Sequence, residues 1–176
     1  MQKNINVHAA FGNFSWFMKW EQATEYLLFI PVVFHWDVKL DVETLWGIPA
    51  SDWGIGSIVL SNYMQFNDER SQTVITTCVS MPEKRSIFLG KTAHECTKEE
   101  LIEEVFRQLK EIYSKTNMSK YSYAFISPEI YKKNNNWTSV DSAYVRATAG
   151  FMNMKSEQFD NLYSVGTHNG MHFYNF

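Results

Sequence analysis

Between Thr97 and Tyr113 the chain carries a complete set of helix signals, and they constrain everything around them. Thr97-Lys98-Glu99-Glu100 is a capping box, in which the threonine hydroxyl and the glutamate carboxylate each accept from a backbone N–H at the helix start. Leu101, Val105, Leu109 and Ile112 then fall on one face, so the segment predicts an amphipathic helix over Lys98 to Tyr113. A helix with one apolar face has to bury that face on another layer of the same domain.

The other segments supply that layer as strands. Tyr26 to Trp36 (YLLFIPVVFHW) reads as a buried strand, and Pro31 inside it implies a bulge or an edge position, where no ladder N–H is needed. The turn-rich stretch Trp46 to Gly54 leads into a β-branched run, Ile55 to Leu60. Asn67-Asp68-Glu69-Arg70 turns the chain toward a second run, Thr73 to Ser80, and the two predict an antiparallel pair. Tyr121 to Ile126 reads as a strand ending at Ser127-Pro128, Asn134-Asn135-Asn136 as an exposed loop before Trp137, and Asn161 to Val165 as a last strand before Gly166. Residues 1–26 show no clean period. The sum is an α+β fold, mostly antiparallel sheet with one long amphipathic helix and shorter ones. With 176 residues, no internal repeat and no dividing linker, a single domain over 1–176 is the expectation.

Composition limits the partners. A formal net charge of -3 leaves no basic footprint for nucleic acid or anionic lipid. The longest apolar run, Leu27 to Phe34, spans eight residues and holds a proline, so neither a signal peptide nor a membrane span is expected. Cys78 and Cys96 read as reduced thiols, which points to an intracellular compartment. Aromatic residues make up 16% of the chain, enough for wide apolar contacts, some of them with a partner outside it.

Self-contained chemistry is hard to assemble from these residues. His94-Glu95-Cys96 lacks further metal ligands at defined spacing and reads as a solvated pre-helix loop. Cys78, mid-strand, reads as a small hydrophobe that stays protonated. His168 and His172 are too few for a metal, and Gly54-Ile55-Gly56 lacks the third glycine and the helix of a dinucleotide fingerprint. Glu103-Glu104 with Arg107 and Lys110 reads as a solvated helix face. Trp36, Trp46, Trp53 and Trp137 read as core or interface residues, with a flat aromatic ligand site as the alternative.

The final strand and its turn, Asn161-Leu162-Tyr163-Ser164-Val165-Gly166-Thr167-His168-Asn169-Gly170, can bring backbone N–H groups close to an anion. Taken with Trp53 to Met64 and Gly90-Lys91-Thr92-Ala93, this segment resembles the C-terminal half of flavin-containing amine oxidoreductases. The nearest likeness is the branch related to phytoene desaturases and carried by some large DNA viruses, and it extends from about Tyr26 to Tyr174. The resemblance implies a substrate-covering domain plus the returning strand beside FAD. Gly166, Thr167, His168 and Asn169 would lie near the cofactor, and Trp137 on the substrate side of the isoalloxazine. It also implies that the N-terminal dinucleotide-binding domain, which carries most of the FAD contacts in that family, has to come from elsewhere, because the glycine fingerprint does not occur in this sequence. Two readings follow. The chain is one part of a FAD-dependent amine oxidoreductase, inactive alone and completed by a cofactor-binding partner, or it is a binding or structural module derived from that domain, a viral assembly component being one form of it. An independent small-molecule binding domain is a third reading, which would need a closed pocket.

Overall fold

The structure is a computed structural model that describes residues 26–44, 50–140, 145–147 and 161. Contacts divide the chain into two units, Leu28–Val145 and a second formed by Met1–Leu27 with Arg146–Asn175. In chain order the strands are β1 (Tyr26–Leu28), β2 (Ile30–Trp36), β3 (Ile55–Val59), β4 (Thr73–Val79), β5 (Tyr123–Ile126), β6 (Ile130–Lys133), β7 (Asn136–Ser139) and β8 (Val145–Ala147). One helix, α1 (Lys98–Ile112), and three single 3-10 turns complete the described elements. The architecture is α+β with antiparallel sheets.

The main unit is built on a four-stranded sheet of order β3-β4-β2-β5, in which every neighbouring pair is antiparallel. Strand periodicity sorts β2 cleanly. Ile30, Val32, Phe34 and Trp36 are fully buried and stand opposite Val79, Thr77, Ile75 and Thr73 of β4. Leu101, Val105 and Leu109 of α1 join the same core, and Phe106 meets Phe34 and Trp36 with ring centroids 5.8 and 6.3 Å apart. Both hydrogen bonds of the Thr97–Glu100 capping box are made, so the helix begins where the sequence predicts and ends one residue earlier, at Ile112.

Two expectations need correction. β2 is a central strand, lying between β4 and β5, despite Pro31. The proline carbonyl accepts from Ser127 N–H, and in an extended residue the nitrogen and the carbonyl point to the same side. The missing donor of Pro31 therefore faces the point where β5 has already ended at Ile126, and no ladder bond is lost. The Asn134–Asn136 stretch is more than a loop. Asn134 and Asn135 have φ of +50° and +63°, the left-handed pair of a two-residue type I′ hairpin, and they join β6 to β7. The predicted β3–β4 pair forms with Ile55 opposite Val79.

β1 and β8 pair as a separate two-stranded sheet. The predicted strand Asn161 to Val165 and the entry segment 1–25 lie outside the described residues. Among the described residues no helix is long and apolar enough to cross a membrane.

Candidate functional site

The loop between β4 and α1 carries two of the three most exposed large apolar side chains among the described residues, Val140 being the other. Ile87 is 90% exposed and Phe88 71% exposed. The turn that carries them is nevertheless held by hydrogen bonds on both sides of Phe88. Ser86 N–H donates to Lys91 O at 2.8 Å, Gly90 N–H to Ser86 O at 2.8 Å, and Leu89 N–H to Ser86 Oγ at 3.1 Å. Arg85 Nη1 donates to Gly90 O, and Ile87 N–H donates to the Asp52 carboxylate at 2.7 Å. Gly90 turns the loop at φ +66°, where an L side chain is strained. The result is a fixed turn that holds two large hydrophobes in solvent.

Beneath this tip lies a charged network. Glu104 of α1 is only 2% exposed and accepts from Ser86 Oγ (2.6 Å), Gln108 Nε2 (2.9 Å) and both Nε and Nη2 of Arg107 (2.8 Å each). Burial pushes its carboxyl upward, but these hydrogen bonds outweigh burial and hold it below the usual glutamate value. The same bonds hold Arg107 above its usual value. Arg107 also donates to Glu111 and lies 3.8 Å from Asp52, while Phe88 lies under its guanidinium at 5.0 Å. Asp52, Ile87, Phe88, Arg107 and Glu111 line an open groove of about 490 Å³.

The turn that presents Asp52 requires a glycine. Gly54 sits at φ +58°, and a Cβ there would come within 2.5 Å of Ser80 Oγ, which donates to Gly54 O at 2.7 Å. Gln108 reaches the same turn, its Oε1 accepting from Trp53 N–H at 3.1 Å. One helix residue therefore couples the buried carboxylate to the loop that places Asp52.

A second polar cluster lies across the sheet, on the face of β2 opposite the α1 core. His35 Nδ1 is 2.8 Å from both Ser71 Oγ and Tyr123 OH, which are 3.1 Å from each other. Tyr123 stacks on the imidazole at 4.2 Å, with Phe125 and Phe66 beside it. A serine beside a histidine is the start of a nucleophilic pair. Here Ser71 is 4% and His35 7% exposed, which leaves no approach for a substrate. Burial lowers the His35 pKa, with Asp68 partly opposing, so the ring is neutral near pH 7. The cluster is a hydrogen-bonded plug with His35 and Ser71 buried and Tyr123 half-buried at its edge.

Of the residues singled out by sequence, Gly166, Thr167, His168 and Asn169 lie outside the described residues. Trp137 is placed on β7 opposite Lys132, buried in the core, with the Lys132 ammonium 5.3 Å from its ring and no partner for its indole N–H. Cys78 is half-buried mid-strand and its thiol is pushed up to about 11 by burial, as expected. His94-Glu95-Cys96 is not a solvated loop. It forms a 3-10 turn with its own Thr92–Glu95 capping box, and Cys96 is fully buried in the core. Glu104 departs furthest from expectation, since the predicted solvated face holds a buried carboxylate. Trp36 and Trp53 are core residues, while Trp46 lies outside the described residues. Among the described residues, no three His, Cys, Asp or Glu side chains converge as a metal site.

Fold and site together define an α+β domain with a rigid apolar tip over a charged groove. No family model, curated protein or solved structure matches the chain.

Proposed function

We propose that this domain is a binding module whose contact site is the Ile87–Phe88 tip. One observation carries the reading: two large apolar side chains stand in solvent on a turn in which the N–H groups of Ser86, Ile87, Leu89 and Gly90 all have acceptors. Ordering a loop on binding costs free energy, and a turn fixed in advance avoids that cost. Exposed apolar groups ringed by charged ones are a usual mark of a protein contact.

The reading as a part of a FAD-dependent amine oxidoreductase rests on the resemblance and makes a different demand. It requires flavin at Gly166–Asn169, with Trp137 facing the substrate. One pair of experiments separates the two. A photo-reactive benzoylphenylalanine replaces Phe88 in the cells that naturally make the chain, with Tyr131, also exposed, as the control position. The binding-module reading expects a discrete protein adduct from position 88 alone, and identical patterns at both positions contradict it. In parallel, the purified chain is equilibrated with FAD and freed of unbound flavin. The same step is repeated with a candidate cofactor-binding partner, and a flavin spectrum retained only with the partner supports the oxidoreductase reading instead.

A further inference from the structure

We infer that the groove beside the tip takes a protein segment in which a lysine or arginine neighbours a large apolar residue. This inference rests on the binding-module reading above and names the chemistry of the partner.

The charge balance at the groove carries it. Three carboxylates, Glu104, Glu111 and Asp52, surround the single guanidinium of Arg107. The donors of Arg107 are already directed to them, Nε and Nη2 to Glu104 and Nη1 to Glu111. An incoming anion would therefore meet a guanidinium already ringed by three carboxylates. Glu104 is enclosed by Ser86, Gln108 and Arg107 and takes no outside donor. Asp52 and Glu111 remain at the groove wall with negative charge in excess. Of the basic residues that flank the tip, Arg85 is drawn to Glu95 at 3.2 Å and Lys91 to Glu100 at 2.6 Å.

Geometry supplies the second half. Ile87 and Phe88 line the same groove as Asp52 and Glu111, so one short segment can place a cation on the carboxylates and an apolar side chain on the tip. The same negative excess repels anionic lipid headgroups, which disfavours membrane insertion of the tip. The groove is open and the tip projects outward, a shape suited to a protein segment more than to an enclosed small molecule.

The test is an unbiased peptide display library panned on the full chain and counter-panned on the Ile87→Asp/Phe88→Asp variant, after thermal melting shows that the variant is folded. Enriched peptides that depend on the tip and pair Lys or Arg with an apolar residue are the expected result. Their affinity then falls about threefold to tenfold in Asp52→Asn/Glu111→Gln and loses most of its salt dependence. The asparagine retains an acceptor for Ile87 N–H, so the tip stays in place. Tip-dependent peptides that are neutral or acidic overturn this inference and leave the binding-module reading standing. Absence of any tip-dependent peptide overturns both.

Discussion

The two polar networks of this domain have opposite designs. The His35–Ser71–Tyr123 cluster is built of neutral groups beside aromatic rings, with His35 and Ser71 buried. The Glu104–Arg107 network is charged, buried at one end and open at the other, where Asp52 and Glu111 meet the exposed Ile87–Phe88 tip. A neutral cluster can fill a sheet face and fasten strands together at little electrostatic cost. A charged network is expensive to bury, and its surplus charge at the rim is available to something outside the chain.

The largest expected effect breaks the charged network at its buried end. Glu104→Ala leaves Arg107, Ser86 and Gln108 without their shared acceptor, and urea unfolding should show a loss of about 3–5 kcal/mol. Gly54→Ala disturbs the turn that presents Asp52, by strain at positive φ and by the clash with Ser80, and should cost about 1–3 kcal/mol in the same assay. In the His35 cluster, Ser71→Ala removes one neutral partner of His35 and should cost about 1 kcal/mol.

Proton linkage sharpens the comparison. The folded state lowers the His35 pKa below its ordinary 6.5 through burial, so the unfolded chain takes up the proton first as the pH falls. The stabilisation is complete above about pH 6.5 and is lost on acidification toward the folded value. His94 is shifted in the same direction, again by burial. Urea midpoints should therefore fall between pH 7 and 5, with a shallower slope in His35→Gln. An unchanged slope would place the proton uptake elsewhere. The smallest stability effect belongs to the open rim, since Ile87→Asp/Phe88→Asp should shift stability by no more than about 0.5 kcal/mol per site while removing binding.

Legibility in the sequence followed the range of the interactions. The α1 capping box and apolar face are local and read correctly from Thr97 to Leu109, and alternation exposed the β3–β4 pair. Pro31 misled because its harmlessness depends on where β5 ends, ninety-five residues away at Ile126. Glu104 read as surface because i,i+3 and i,i+4 charge pairs look the same on a solvated face, and nothing local announces that Ser86 arrives above it. Strand register sets Tyr123 opposite His35, and the 3-10 turn ahead of β4 delivers Ser71 to them. The tip was hidden for the opposite reason: nothing in the apolar run Ile87-Phe88-Leu89 shows that its first two side chains stand in solvent while Leu89 packs on the core.

The central claim, that the tip is built in advance for contact, is tested most directly by hydrogen exchange at the amides of Ile87, Leu89 and Gly90. Ile87 and Gly90 face solvent and Leu89 is only half-buried, yet each N–H has an acceptor, in Asp52, Ser86 Oγ and Ser86 O respectively. The account predicts exchange slowed well below the rate of an unstructured chain at all three, with Ile87 alone released in Asp52→Ala. Exchange at the unstructured rate in the unaltered protein would contradict it, making Ile87 and Phe88 the exposed residues of an ordinary mobile loop.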